Sequence, residues 1–480
     1  MMSEMKKPAH VVVDLDGTLV LTDMLVENLF LFLRMHPLRV FALFRWLLKG
    51  KAYFKTRLAD AVLPDATRLP YNEAVVSWLH TRRREGAKLV LATASDHRIA
   101  RRVADHLTLF DEVLGTDTGV NLSASHKRDA LVARYGPRGF EYVGNATPDL
   151  KVWEAASRIH VANAGSGVLN AARKLGTVGE VFDNRQRYFK VLAKALRVHQ
   201  WAKNVLVFVP LVASHKVFDV QLLLAGAVAF LAFSLCASSV YLLNDLLDLQ
   251  DDRLHRSKRF RPLAAGSMPI MHALVIMPLL LVGAAVMAAI LLPWQFLAVL
   301  AVYYVLTLAY SLRLKRVVML DVVTLAMLYT VRVIAGAAAL ALAPTFWILA
   351  FCMFVFLSLA FVKRYTELRD ARLEGRVQKA AGRGYYPSDF ELLAALGGAA
   401  GYISVLVLAL YINDASHWEL YRHPEWMWAA CPLLLFWLSR VWLLAHRGEM
   451  HDDPIVFAFR DRLSRWVGAL FLLSFAAASF

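Results

Sequence analysis

Apolar and polar positions follow two different rhythms along this chain. Up to about residue 190, short β-branched runs alternate with helical segments and charged turns, the pattern of an α/β domain. From about residue 196 onward, runs of roughly 20 apolar residues recur, each about what a helix needs to cross a hydrocarbon core of ~30 Å. Nine such runs are predicted as spans: about 197–214, 220–246, 271–291, 294–312, 318–341, 344–363, 390–412, 425–446 and 455–478. The first and last carry charges at one end. The predicted fold class is therefore multi-domain, a soluble α/β domain followed by an all-α polytopic membrane domain of about nine transmembrane helices.

Composition agrees with that division. The chain has 480 residues and is 58% hydrophobic, too apolar for an ordinary soluble enzyme. Its net charge of +16 is more informative by position than as a total. With residue 1 in the cytoplasm, nine spans put the loops at 247–270, 313–317, 363–389 and 446–454 inside, with about sixteen Lys and Arg. The opposite loops carry Lys216 and Arg422. That asymmetry predicts a multi-pass protein of a bacterial-type inner (cytoplasmic) membrane, with the N-terminal domain and the active site on the cytoplasmic side. Because the basic residues follow loop parity, nucleic acid is not expected as a partner; the bilayer is. Lys6 and Lys7 lead into a short strand, so no signal peptide is expected. Cys236, Cys352 and Cys431 are isolated and have neither metal nor disulfide spacing.

The densest chemistry lies at the end of the second run. Asn244-Asp245-Leu-Leu-Asp248-Leu-Gln-Asp-Asp252 is followed by Arg253, His255, Arg256, Lys258, Arg259 and Arg261. On one helix Asp245, Asp248 and Asp252 fall at i, i+3 and i+7, on a single face. Three carboxylates on one stripe repel one another unless a cation lies between them, and hard oxygen ligands suit Mg²⁺ bound with substrate phosphates. The basic residues that follow suit phosphate groups, so the cluster reads as a diphosphate site at a membrane surface. Further polar clusters are Arg197-Val-His-Gln-Trp201-Ala-Lys203-Asn204, Tyr310-Ser-Leu-Arg313-Leu-Lys315-Arg316 with Asp321 and Arg332, Lys363-Arg364-Tyr365-Thr-Glu367, and Asp452-Asp453-Pro454. An arginine inside an apolar run, such as Arg332, needs a partner or a water-filled cavity. Lys315, Lys363 and Arg364 read equally well as snorkelling anchors at span ends.

In the N-terminal part, His10-Val-Val-Val-Asp14-Leu-Asp16-Gly17-Thr18 is a strand that ends in two carboxylates and a glycine turn. Asp14 and Asp16 point the same way off the strand end, which suits attack on phosphorus by one and proton handling by the other. Lys88–Ser95 is a second strand carrying Thr93; Lys127 opens a helix, and Glu141–Asp149 ends a further strand at Gly144-Asn145. The order DLDGT, strand-Thr, Lys, GNxxxD resembles the haloacid dehalogenase-like (HAD) phosphatases over about residues 8–175, a Rossmannoid α/β fold. The resemblance implies Asp14 as nucleophile and Asp16 as general acid/base. Thr93 and Lys127 would hold phosphoryl oxygens, with Asp14, Asp16, Asn145 and Asp149 around Mg²⁺. Asn145 stands where that family usually has Asp, which implies weaker metal binding and leaves both a slow phosphatase and a scaffold open. Residues 24–80 read as a helical cap. Its stretch Met24–Leu48, with Arg34, Arg39 and Arg45, is either a cover over the site or an amphipathic hairpin that also touches the membrane. The expected organisation is 1–175 HAD-like, 176–195 linker and 196–480 membrane domain.

The membrane part resembles the UbiA superfamily of intramembrane prenyltransferases, through NDxxDxxxD on the second span. Within it the closer likeness is to the decaprenyl-phosphate phosphoribosyltransferases, on RVHQWAKN, NDLLDLQDDRLHRSKRFRPLAAG, YSLRLKR with Asp321 and Arg332, KRYTEL and DDP. Aromatic-ring prenyltransferases carry a second DxxxD; here Asp321 is followed by Val322, Val323, Thr324 and Leu325. The resemblance implies transfer of 5-phosphoribose from phosphoribosyl diphosphate to polyprenyl phosphate. Asp245, Asp248 and Asp252 would hold Mg²⁺ and act in catalysis. Lys203, Asn204, Asn244, Lys258, Arg259, Arg261, Tyr310, Lys315, Asp321, Arg332, Lys363, Arg364 and Glu367 would line the substrates. The HAD-like domain would then remove the 5-phosphate. The competing readings are a UbiA prenyltransferase with a prenyl diphosphate donor and a degenerate docking module, or a lipid-phosphate transporter. Self-association into a homo-oligomer is left open.

Overall fold

The computed structural model describes residues 9–117, 121–255, 257–375, 384–414, 421–450 and 453–479. Arg256 and Asp452, named above, lie outside the described residues. The chain forms two compact units, Met1–Leu196 with Tyr241–Met277, and Arg197–Val240 with Pro278–Phe480.

The first unit is built on a six-stranded, wholly parallel sheet. Its strands are β1 (His10–Val13), β2 (Lys88–Asp96), β3 (Glu112–Thr116), β4 (Phe140–Gly144), β5 (Arg158–Ala162) and β6 (Val178–Phe182). Their order is β3-β2-β1-β4-β5-β6, the doubly wound arrangement. Val11, Val12 and Val13 are fully buried because β1 is central and covered on both faces, as its run of β-branched residues requires. The C-terminal ends of β1 and β4, at the point where strand order reverses, are thus set by the sequence pattern. The expected linker 176–195 is corrected: Val178–Phe182 pairs with β5, and a helix follows at Tyr188–Ala195. This edge strand escapes a sequence reading because it is short and largely exposed.

The cap region is helical, as expected: α1 (Met24–Met35), α2 (Val40–Leu47) and α3 (Lys51–Ala61), with α4 (Glu73–Arg84) returning to the sheet. Asp23 caps α1 by accepting from the amides of Leu25 and Val26 at 2.9 and 3.1 Å. Val75 and Leu79 of α4 join the sheet core, whereas Phe32, Phe54, Leu58 and Val62 form a small core of the cap itself.

The second unit is helical. Seven helices of the described chain are long and apolar enough to cross a membrane: Val220–Leu247, Ile270–Leu291, Trp294–Leu312, Leu320–Ala339, Phe346–Leu373, Pro387–Asn413 and Pro424–Arg447. The 20-residue helix Leu320–Ala339 is the most enclosed of these, and Ile270–Leu291 the least. The outward side chains of the latter, such as Val275, Leu279 and Ile290, are apolar, as lipid contact demands. The other two expected runs fold in pieces. Residues 197–214 form a 3₁₀ helix, Val198–Phe208, followed by Val209–Ala213. Pro210 has no N–H to continue the helical ladder there. Residues 455–478 are divided into Pro454–Arg460 and Arg462–Ser479. The break is at Asp461, whose carboxylate pairs with Arg440 at 2.7 Å and caps the Ser464 amide at 2.7 Å.

Candidate functional site

The crevice at the C-terminal ends of β1 and β4 is where doubly wound sheets place ligands. Asp14 directly follows β1, and its backbone N–H still pairs with Val143 O at 3.0 Å. Lys127, buried on the helix Ser125–Tyr135, donates to Asp14 Oδ1 at 2.6 Å and to Tyr142 Oη at 3.0 Å. Tyr142 donates on to Asp149 Oδ1 at 2.8 Å, and the amides of Asn145 and Ala146 donate to Asp149 Oδ2. Asp16 accepts from Met24 N at 2.7 Å, Ser95 Oγ at 2.8 Å and Thr93 Oγ1 at 3.2 Å.

Two glycines make this convergence feasible. Gly17 has φ +74°, and a Cβ there would lie 2.1 Å from Asn145 Nδ2; a Cβ on Gly144 would lie 2.7 Å from the Asp149 carboxyl. Burial pushes the Asp14 carboxyl up to about 7, with Lys127 opposing and the charges of Asp149 and Asp16 reinforcing the rise. Burial also raises Asp16, which suits a group that must hold a proton to deliver. Lys127, Asp14, Asp16 and Asp149 are therefore brought together at this sheet end. Thr93 lies beside Asp16. Its hydroxyl serves Asp16 and accepts from the Ser95 amide at 2.9 Å, because this stretch of β2 is fully enclosed.

The acidic motif after helix Val220–Leu247 departs from a straight stripe. The helix stops before Asp248, whose φ and ψ are −96° and 11°, and a short helix Leu249–Leu254 follows. Seven residues of straight helix would separate Asp245 from Asp252 by about 10 Å. With the break, Arg261 Nη1 reaches both, Asp245 Oδ1 at 3.1 Å and Asp252 Oδ2 at 2.5 Å. Both aspartates are buried, and Lys258 Nζ stands 4.0 Å from Asp252. Burial raises the Asp252 carboxyl; Arg261 opposes this and Asp245 adds to it. The Oδ1 of Asn244 is enclosed, with no hydrogen-bond partner among the described residues. Arg259 is exposed and lies over the Phe260 ring instead of the acids. Among the described residues no three His, Cys, Asp or Glu side chains stand close enough to enclose a metal ion. The donor chemistry nevertheless fits Mg²⁺: one motif supplies buried carboxylate oxygens and an enclosed amide oxygen, and Asp14 and its neighbours supply mutually repelling carboxylates.

The second unit holds two buried charge clusters. Asp453 Oδ2 lies 2.9 Å from Lys203 Nζ and 3.1 Å from Lys363 Nζ, and both its oxygens accept from Tyr329 Oη at 3.0 Å. It also caps the helix Pro454–Arg460 through Ile455 N. The two lysines hold its carboxyl far below the usual carboxylate range despite burial. Nearby, Arg332 donates to Asn204 Oδ1 at 3.0 Å and to Leu328 O, with the rings of Phe233, Tyr303 and Tyr329 around its guanidinium. Asn204 is held in turn by Ser234 at 2.9 Å.

In the other cluster Arg364 Nε is 2.7 Å from Asp321 Oδ2, with Tyr310 and Glu367 at its Nη atoms. Tyr385 donates to Asp321 Oδ1 at 2.5 Å. That Nε contact is a charge contact rather than an aligned hydrogen bond. Lys315 sits half-buried in the turn Leu314–Arg316.

The pattern of the UbiA prenyltransferase family matches residues 205–467, more than half of the chain. The chain belongs to the UbiA prenyltransferase family. Residues 1–200 of this UbiA protein, with the parallel sheet, lie outside that match. An uncharacterized protein of Sinorhizobium fredii, y4nM, is 37% identical over 467 residues, 97% of this chain and 90% of the relative. The nodulation protein NoeC of Azorhizobium caulinodans is 35% identical over 57% of this chain and 88% of its own length. A decaprenyl-phosphate phosphoribosyltransferase of Mycolicibacterium smegmatis is 30% identical over 58% of this chain and 91% of the relative. As a UbiA protein with seven candidate spans, the chain is a multi-pass membrane transferase.

Some participants were not singled out from sequence. Tyr142 and Ser95 complete the sheet-end site, and Tyr329, Tyr303, Phe233 and Tyr385 surround the charges of the membrane unit. Asp453 carried the one usable signal, an Asp before Pro at a helix start. Its lysine partners, Lys203 and Lys363, read from sequence as substrate-lining groups, and spacing does not pair them with Asp453.

Proposed function

We propose that this UbiA protein transfers 5-phosphoribose from phosphoribosyl diphosphate to a polyprenyl phosphate, releasing diphosphate. The observation that carries the reading is the fate of Asp321. A prenyl-diphosphate enzyme with a second acidic motif would need carboxylates there; Asp321 is instead consumed by Arg364 and Tyr385. One acidic motif remains, which suits a donor held by one carboxylate cluster together with Lys and Arg, and the likeness to a decaprenyl-phosphate phosphoribosyltransferase points the same way.

The acceptor phosphate is already anionic, so no general base is needed, and positioning and charge stabilisation carry the catalysis. Asp245, Asp248, Asp252 and Asn244 would hold Mg²⁺, which supplies neutralisation of the departing diphosphate. Arg261 and Lys258, already on these acids, are placed to move onto donor phosphate oxygens. Lys203 and Lys363 are the cations on offer to a phosphate that replaces Asp453 as their partner. The ion pairs of α1 with residues 251 and 253 bear on topology. They keep the loop after helix Val220–Leu247 on the same membrane side as the sheet, so the chain from Leu196 to Asp248 crosses an even number of times. That supports 197–213 as a first traverse; the charge bias of the loops favours the cytoplasm for that side.

The sheet-end site reads as a HAD-like phosphatase for the first product. The Asp14 carboxylate would displace the ribose 5-oxygen at phosphorus, Asp16 would protonate the leaving oxygen, and water would release phosphate from the aspartyl phosphate. Lys127 would screen the phosphoryl oxygens. Asn145 in place of a carboxylate favours the second reading, a docking module without turnover.

The test is mass spectrometry of the lipid made by purified protein with Mg²⁺, polyprenyl phosphate and phosphoribosyl diphosphate. A phosphoribosylated lipid is expected. Turnover of a prenyl diphosphate with an aromatic acceptor, and none of phosphoribosyl diphosphate, would overturn the reading. With Asp14→Asn, an unchanged ratio of phosphorylated to dephosphorylated lipid would leave only the docking module.

A further inference from the structure

Among the described residues, the outer face of the cap hairpin has no partner. α2 is apolar apart from Arg45: Leu43 and Trp46 pack inward against the cap core, with Trp46 and Phe32 ring centroids 5.4 Å apart. The opposite face is apolar too, and bare. Leu38 is 94% exposed, Phe41 83% and Leu48 89%, with Met35, Phe44 and Leu47 also exposed between them. A contiguous apolar surface of this kind on a folded unit marks a contact with another apolar phase.

Charge selects which phase. From Asn28 to Ala59 the chain contains no Asp or Glu but carries Arg34, Arg39, Arg45, Lys49, Lys51, Lys55 and Arg57. Arg39, Arg45, Lys49 and Lys51 are exposed beside the apolar face. Large apolar side chains flanked by cations and free of anions are the composition of a helix lying at an anionic lipid surface.

Position supplies an independent argument, within the same compact unit. Arg34, in the last turn of α1, is bonded to Asp251 at 2.5 Å, and Phe30, Leu31 and Arg34 border a recess with Leu246, Leu247 and Leu249. Leu247 ends a 28-residue helix long and apolar enough to span a membrane. The end of that helix marks headgroup level, and the hairpin begins one residue after Arg34.

We propose that the segment Met35–Lys51 is a membrane-interface anchor. It dips Leu38, Phe41, Phe44 and Leu48 among the acyl chains while Arg39, Arg45, Lys49 and Lys51 meet anionic headgroups. The anchor moors the sheet-end site beside the surface that carries lipid-linked substrates, which raises its effective concentration toward them. The inference rests on membership of a membrane family and on these side chains; it does not depend on which donor the transferase uses.

The full chain in proteoliposomes of phosphatidylcholine and phosphatidylglycerol, with a spin label at Leu38→Cys or Phe41→Cys, tests it. Both positions are exposed, so neither substitution disturbs the cap core; the same label at Lys174→Cys, also exposed, reports bulk water. Signal from the three native cysteines is subtracted using unsubstituted protein. Labels at 38 and 41 are expected to collide several-fold more with oxygen, relative to a water-soluble nickel chelate, than the label at 174. Equal collision ratios at all three positions would overturn the anchor. So would spin–spin broadening at 38 and 41 that survives dilution in lipid, since that would make the partner a second copy of the chain.

Discussion

Glu27 of α1 and Arg253 of the loop after helix Val220–Leu247 form a buried ion pair across 226 residues of sequence, with side chains 1% and 6% exposed. Arg253 also donates to Ala264 O at 3.1 Å, and Asp252 is its chain neighbour. The cap of the N-terminal sheet and the acidic motif are thus one piece of structure.

Removing one partner of such a pair leaves an uncompensated charge. Glu27→Ala is expected to cost the first unit about 3–5 kcal/mol, whereas an exposed pair such as Arg101 with Asp105 would cost under about 1 kcal/mol. Denaturant unfolding of the two variants in detergent, followed through the first unit, makes the comparison.

The acidic motif is expected to control the transfer step. Asp252→Asn should lower turnover about 100-fold or more, the scale of losing one preorganised electrostatic contact. Product formation measured across a Mg²⁺ series decides the matter; full turnover of the variant at the native Mg²⁺ requirement would contradict the assignment.

Asp453 and Lys203 are expected to be energetically coupled. Asp453→Asn should destabilise the second unit by about 3 kcal/mol because the buried ammonium of Lys203 and the part-buried one of Lys363 lose their anion. Adding Lys203→Met should recover part of that loss, so the double variant falls short of the sum of the singles. Thermal unfolding of the four proteins in detergent completes the cycle.

At the sheet end, Asn145→Asp adds an anionic oxygen where the metal is expected. The Mg²⁺ concentration for half-maximal hydrolysis of a generic phosphate ester should fall about tenfold. The Asn145 side chain lies against Gly17, so the near-isosteric change fits without moving the DLDGT turn.

pH gives a fifth test. Glu141 on β4 accepts from His160 at 2.9 Å and from Arg82 at 2.8 Å. The His160 bond, helped by Arg82 and opposed by burial, holds its carboxyl below the usual carboxylate range. A folded value below the unfolded one stabilises above the unfolded value and loses that stability as pH falls through the folded value. The thermal midpoint of Glu141→Gln should therefore lie below wild type near neutrality, with the gap closing below about pH 4.

The sequence conveyed some of this well and some not at all. β1, β2 and β4 were legible because short, largely buried apolar runs leading to Asp14, Thr93 and Gly144 leave few alternatives. β6 was not, since a half-exposed edge strand has no such run. The acidic motif was legible as chemistry but not as geometry: periodicity assumes an unbroken helix, whereas the helix breaks at Asp248 and Arg261, sixteen positions after Asp245, joins Asp245 to Asp252. The partners of Asp453, Asp321 and Arg332 come from helices distant in sequence, and spacing carries no signal for such pairs. The spans Val220–Leu247 to Pro424–Arg447 were legible from hydropathy, whereas the broken segments at 197–213 and 454–479 obeyed Pro210 and Asp461 rather than the average apolarity.

The Glu27 pair also orders events at the ribosome. The sheet and cap are complete once residue 196 has emerged, yet the cation for Glu27 is made more than fifty residues later, after the chain has begun to enter the bilayer. Until then a carboxylate meant for an interior faces water or strains the cap. Maturation of the N-terminal fold thus waits on membrane insertion, and a fragment ending at Leu196 should be softer around α1 than the same residues in the whole protein.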